Sequence, residues 1–191
     1  MSNLPIIVGI TGASGLAYGV RTLEILRDAG IETHLVMSSA AQITREYESE
    51  LSKRDIEALA SHAHKPADIG AAISSGSFLT RGMIVAPCSM RTLAEIATGV
   101  TTSLVGRAAD VVLKERRRLV LMARESPLTL VHLRNMQTVT EAGAIIFPPV
   151  PAMYTKPQTI QDIVDHSVGR ALDLFDIHLD HFPRWGKSRD L

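Results

Sequence analysis

Three short stretches carry residue types whose spacing could do chemistry. The first is Thr11-Gly12-Ala13-Ser14-Gly15, which follows the apolar run Ile6-Ile7-Val8-Gly9-Ile10 and precedes a helical pattern beginning at Leu16. A buried strand breaking through a glycine and hydroxyl turn into a helix leaves backbone N–H groups aimed above the helix N-terminus, where an anion, most often a phosphate, is favoured. The second is Cys88-Ser89-Met90-Arg91-Thr92, placed after the aliphatic run Met83–Ala86 and Pro87 and opening another helix. The third is Arg124-Glu125, a charged pair that follows Leu119-Val120-Leu121-Met122 after the single residue Ala123. Charge just beyond a buried strand is costly unless it serves a site.

The first turn lacks the marks of the commonest nucleotide sites. A dinucleotide fingerprint needs glycine two positions before Gly12, where Ile10 stands, and a P-loop needs Lys after its last glycine, where Leu16 stands. At the end of the second strand, within 32–38, Ser38 and Ser39 replace the acid that would hold an adenosine ribose. Hydroxyls there suit a phosphate or a flavin ribityl chain, and Ser38 can also cap the helix beginning at Ala40. Two hydroxyl-bearing turns at the carboxyl ends of parallel strands mark the place where open α/β sheets bind ligands.

The elements that must position these residues follow from periodicity. Aliphatic runs at 6–10, 35–37, 83–86, 119–122 and 144–147 alternate with helical patterns starting at Leu16, near residue 90, over 103–116 and over 128–142. A last helix opens at Thr159, with Asp162 spaced for a capping box and an apolar set of Ile160, Ile163, Val164, Val168, Ala171, Leu172 and Phe175. This alternation predicts an α/β fold, Rossmann-like (flavodoxin-like), with three layers and a mainly parallel sheet. The expected organisation is one domain over 1–182 and a tail over 183–191. Ser52 and Asp55 predict a capped helix through Leu59, and Pro148–Tyr154 an extended wall. His62 and His64 read as loop residues with no third ligand beside them, so no metal site is expected. Glu46, Glu48 and Glu50 read as a solvated face.

With 191 residues, 46% hydrophobic, the chain can bury a sizeable core, built mainly from aliphatic side chains because aromatics are only 4%. Twenty basic residues balance twenty acidic ones, so no net field draws the chain to nucleic acid or membrane. A single Cys88 rules out an intrachain disulfide framework and fits a reducing, cytoplasmic setting. No apolar run is long enough to span a bilayer.

Taken in order, Thr11–Gly15, Ser75-Gly76-Ser77, Pro87-Cys88-Ser89, Arg107–Val111, Leu113–Arg117, Arg124-Glu125, Pro151–Tyr154 and Pro183-Arg184-Trp185 resemble the UbiX-type flavin prenyltransferases, a branch of the flavin-containing cysteine decarboxylase superfamily. The resemblance implies a homododecamer with active sites between subunits. It implies transfer of the dimethylallyl group of dimethylallyl phosphate to N5 and C6 of reduced FMN, with prenylated FMN passing to a UbiD-type decarboxylase. By motif, FMN would be held by Gly12, Ala13, Ser14, Ser38, Ser89, Met90, Arg91, Thr92 and Arg124. The prenyl phosphate would be met by Lys114, Arg124, Tyr154 and Arg170, and Ser14, Glu48 and Glu125 would be catalytic. That chemistry suits the residue types. Cations gather on the phosphate as the C–O bond breaks, and Glu48, Glu125 or the released phosphate takes the ring proton. Ser39 and Met153 depart from the commoner Lys and Phe of relatives. Two alternatives remain at this point: oxidative decarboxylation of a cysteinyl substrate, which lacks its expected Asn-bearing loop here, and a non-catalytic flavin-binding protein.

Overall fold

In a computed structural model, residues 4–178 and Arg184 are described. Six strands form one wholly parallel sheet: β1 Ile6–Ile10, β2 Thr33–Met37, β3 His62–His64, β4 Gly82–Cys88, β5 Arg118–Ala123 and β6 Ile145–Ile146, in the spatial order β3-β2-β1-β4-β5-β6. This is the expected three-layer α/β fold, and its strand order reverses between β1 and β4. Crevices at such a switch point are where ligands of open α/β sheets bind.

Alternate residues of each strand face opposite layers, so the runs must be apolar on both sides. Ile6, Val8, Ile10, Leu35, Met37, Ile84, Val120 and Met122 face α1 (Leu16–Asp28) and α7 (Ile160–Asp173). Ile7, Val36, Met83, Val85, Leu119 and Leu121 face α4 (Met90–Thr98) and α5 (Leu104–Lys114). Arg21 of α1 donates to both carboxylate oxygens of Asp165 at 2.7 and 3.3 Å, fixing α1 against α7. Helix α6 (Leu130–Glu141) buries only Val139 and leaves Leu130, Val131 and Leu133 exposed.

Helix boundaries follow their caps. Ser38 caps α2 (Ser39–Glu48), Ser89 caps α4 and Ser103 caps α5, each accepting from the backbone three residues on. The capping boxes at Ser52/Asp55 and Thr159/Asp162 are both formed. The first of these helices, α3, spans Lys53–Glu57 and stops short of Leu59.

Two expectations need correction. His62 and His64 are not loop residues: they pair in register with His34 and Val36 as the edge strand β3. Three residues carry too little period to be read as a strand. Ile160 is 80% exposed, because it is the first residue of α7 and lies ahead of the turns that pack on α1. Of the tail expected over 183–191 only Arg184 is described, and it docks on α7 through two 2.7 Å hydrogen bonds to Asp173; Pro183 and Trp185 lie outside the described residues.

The closeness of α1 to the sheet rests on Gly19. A methyl there would collide with the Ala86 carbonyl oxygen and with the Ile10 side chain at 2.8 Å. Gly19→Ala gains about 1 kcal/mol of helix propensity, while overpacking against backbone costs about 1–3 kcal/mol. Chemical denaturation should give a net loss of stability; a variant more stable than the parent would mean that α1 can lift from the sheet at no cost.

Candidate functional site

The carboxyl ends of the central strands are laced together. Ser38 N–H donates to the Ile10 carbonyl at 2.9 Å, and Arg124 N–H to the Cys88 carbonyl at 3.1 Å. Between them, buried Thr11 donates its hydroxyl to the Pro87 carbonyl at 2.7 Å and its N–H to the same oxygen at 3.2 Å. The Thr11 hydroxyl in turn accepts from Ser89 N–H at 2.8 Å. Pro87 has no N–H, and the β4–β5 register shifts between Val85 and Cys88, which leaves its carbonyl free for Thr11. One row of bonds thus places Ser38, the Thr11 turn, Ser89 and Arg124 side by side.

Above this row lies a cleft of about 240 Å³ lined by Gly12, Ser38, Ser89, Arg91, Thr92 and Ser103, among others. It brings together five of the residues expected to hold FMN. The N-termini of α2, α4 and α5 all open onto it, since their cap residues Ser38, Ser89 and Ser103 line it. Three helix N-termini aimed at one space favour a phosphate strongly. Gly12 is needed for the shape, because a Cβ there would stand 2.5 Å from the Ala40 Cβ. Ser39, at a position where relatives often carry Lys, also lines the cleft. Loop residues Pro66, Ala67 and Thr102 also line it and had no signal in the sequence.

The N-terminus of α1 is different. The anion expected there is supplied by the chain itself: Glu48 Oε2 accepts from Gly15 N–H and Leu16 N–H, both at 2.9 Å. Partial burial would raise the Glu48 pKa. Hydrogen bonds from the Ser14 hydroxyl and the Leu16 and Gly15 amides, with the charge of Arg124, outweigh this and hold it below the ordinary carboxylate range. Glu48 is therefore not one of three equivalent surface acids. It is a helix cap brought 33 residues along the chain to the first turn. Arg124 acts on Tyr18 as well, opposing the rise that burial gives that phenol.

Other expected residues are placed as follows. The Ala13 and Met90 side chains are buried, so only their backbones can meet a ligand. Arg91 reaches Glu95 at 3.3 Å, and Glu125 accepts from Ser126 N–H at 2.9 Å. The Cys88 thiol is fully buried and pushed up to about 12, which keeps it a protonated core group and not a nucleophile.

Lys114 pairs with Glu115 at the end of α5, before β5 begins, whereas Arg124 follows the last residue of β5. About six strand residues, roughly 20 Å, separate them. Tyr154 Oη lies 3.2 Å from His166 Nε2, and Arg170 donates to Asp173 at 3.2 Å, on α7. Within one chain, then, Lys114 and Arg124 do not converge as the phosphate chemistry suggested. The structure does explain other motif pieces. Arg117 donates to the carbonyls of Phe78 and Gly76 at 2.7 and 2.6 Å, and Arg107 to that of Ser74 at 3.2 Å. The Ser75-Gly76-Ser77 loop is thus wrapped by the two basic motifs that lie far from it in sequence. The Glu115 carboxylate and the Lys114 Nζ lie against Gly76, where a Cβ would push these two side-chain ends aside.

Comparison with known proteins decides the family. A family model described as Flavoprotein matches residues 1–172. The chain is 57% identical to the flavin prenyltransferase UbiX of Neisseria meningitidis serogroup B over 185 residues, covering 97% of this chain and 98% of that one. It belongs to the UbiX-type flavin prenyltransferases. A crystal structure of a UbiX protein (PadA1) in complex with FMN and dimethylallyl pyrophosphate superposes with TM-score 0.95 at 53% identity, covering 97% and 98% of the two chains. A dodecameric FMN-dependent UbiX-like decarboxylase of Escherichia coli O157:H7 superposes with TM-score 0.93 at 53% identity, covering 95% and 99%. As a member of this family the chain is an FMN-binding transferase, and the cysteine-oxidising and non-catalytic alternatives fall away. Among the described residues no helix is long and apolar enough to cross a membrane.

The Glu48 cap generates a prediction. A group whose folded pKa is depressed stabilises the fold above its unfolded pKa, about 4.3, and loses that contribution as pH falls through the folded value. Glu48→Gln should therefore lower stability at pH 7 by about 0.5–1 kcal/mol, the usual worth of a carboxylate at a helix N-terminus. The gap to the parent should close below pH 4. Parallel stability curves for the two proteins across this range would show that Glu48 does not cap α1.

Proposed function

We propose that this chain joins the dimethylallyl group of dimethylallyl phosphate to N5 and C6 of reduced FMN, without a metal, and passes prenylated FMN to a UbiD-type decarboxylase. The observation that carries the reading is the cleft onto which α2, α4 and α5 open their N-termini, lined by Gly12, Ser38, Ser89, Arg91 and Thr92. It fits the phosphate of a mononucleotide, with the flavin ring extending past Ser14 toward Arg124. The donor loses its C–O bond to phosphate, and the phosphate leaves with the bonding electrons.

The chain's residues divide this work. Arg124, already facing Tyr18 and Glu48, neutralises charge at the reacting end. Lys114, Tyr154 and Arg170 bind the donor phosphate, and the separation of Lys114 from Arg124 by the length of β5 within one chain supports a site completed by a neighbouring subunit. Exposed Leu130, Val131, Leu133, Val150 and Met153 offer the apolar area that such self-association would cover, and the dodecameric relative supports a dodecamer. Glu48, held in the charged form by three donors, is a weak base. It holds Ser14 and the glycine turn in place, while the released phosphate dianion, a stronger base than a carboxylate, takes the proton that ring closure sets free. Glu125 at the same loop is the second candidate base. We read the chain as one cytoplasmic domain over 1–182 with a tail over 183–191.

Anaerobic incubation with reduced FMN and dimethylallyl phosphate, or in parallel the diphosphate, should yield extracted flavin heavier by one five-carbon unit, with the monophosphate the better donor. Flavin of unchanged mass with both donors would overturn the reading. Faster turnover of the diphosphate would overturn only the choice of donor.

A further inference from the structure

Away from the cleft, at the amino ends of β2 and β3, four side chains with metal-binding chemistry meet on one face of the sheet edge. His34 and His62 are register partners, and His64 follows two residues on, opposite Val36; period-two alternation therefore puts all three imidazoles on the same side. Glu32 precedes β2 and reaches the group from its end. Its Oε1 lies 3.2 Å from His62 Nε2 and 3.4 Å from His34 Nε2, and the ligand atoms of Glu32, His34 and His62 all fall within 4.8 Å of one another. Ligands bound at about 2.0–2.2 Å in a tetrahedral site stand roughly 3.3–3.5 Å apart. Two edges of the triangle, at 3.2 and 3.4 Å, already lie close to this, and the third is no longer than 4.8 Å.

The surroundings supply the rest of such a site. His34 is buried, and its Nδ1 lies 2.9 Å from His64 Nε2, with the two rings stacked at 5.1 Å. His34 turns its other ring nitrogen, Nε2, toward Glu32 Oε1 at 3.4 Å, so a cation seated between them would take one ligand atom from each. A ligating histidine whose other ring nitrogen is held by a second side chain is the usual outer-shell arrangement of metal sites. Phe78 packs its ring 5.0 Å from His34 and walls the buried side, while Glu32 and His62 stay open to solvent for entry.

We propose that Glu32, His34 and His62 bind one zinc ion per chain, with His64 orienting His34 and water completing the coordination. Two imidazoles and one carboxylate suit zinc among divalent metals. The site is structural: it pins the three-residue strand β3 to the sheet and takes no part in flavin chemistry at the opposite strand ends.

The test uses full-length, tag-free protein stripped with a chelator and titrated with zinc against a chromophoric competitor. Uptake of one equivalent per chain at micromolar or tighter affinity is expected, together with a zinc-dependent rise in the thermal unfolding midpoint. His62→Gln and Glu32→Gln, both at exposed positions, should each abolish that equivalent, and His64→Asn should weaken it about 10–100-fold. His132→Gln, far from the cluster and still able to cap α6 from its third position, should leave uptake unchanged. No uptake by the parent, or equal uptake by the parent and both ligand variants, would overturn the proposal.

Discussion

The structure depends first on Thr11. Its hydroxyl and amide both reach the Pro87 carbonyl, and its oxygen receives Ser89 N–H. This joins the turn after β1 to the turn after β4 where the sheet reverses direction. A parallel sheet offers its site at strand ends, but each turn is free to drift unless something ties it to its neighbour. Pro87 contributes the carbonyl that both Thr11 donors share, at the point where the β4–β5 register shifts. Threonine at 11 contributes one donor and one acceptor in a buried position, each satisfied, and an unsatisfied buried polar group would cost about 1–3 kcal/mol. The flanking bonds from Ser38 to Ile10 and from Arg124 to Cys88 extend the tie in both directions.

Electrostatic roles are divided along the same edge. Three helix N-termini remain directed at the cleft, and the fourth is satisfied from within by Glu48. The division leaves three N-termini open to an anion and closes the fourth with a carboxylate of the chain itself. The cations at Lys114 and Arg170 lie elsewhere and are held by Glu115 and Asp173.

Much of this was legible in the sequence, for particular reasons. Five aliphatic runs became strands because both faces of a parallel sheet must be apolar, and capping residues at 38, 52 and 159 start helices because each hydroxyl satisfies an orphan amide. Gly12, Ser38, Ser89, Arg91 and Thr92 were readable as one site because strand ends of a doubly wound sheet lie together. What could not be read depends on contacts between distant segments. Glu48 looks like Glu46 and Glu50 until α2 turns it onto Gly15. The pair His62 and His64 lacked a third ligand until β3 paired with β2 and brought Glu32 and His34 alongside. The Ser75–Ser77 loop and the arginines that wrap it share no local signal at all.

The central claim, that Thr11 joins two turns into one flavin site, is tested most directly by the FMN affinity of Thr11→Val. Valine keeps the volume and the strand propensity but removes the hydroxyl bridge between Pro87 and Ser89. Fluorescence titration should give an FMN dissociation constant raised about tenfold, the effect of about 1.4 kcal/mol, in a protein whose circular dichroism is unchanged. A variant that binds FMN as tightly as the parent would contradict the account, because the turns would then be held together by something other than Thr11.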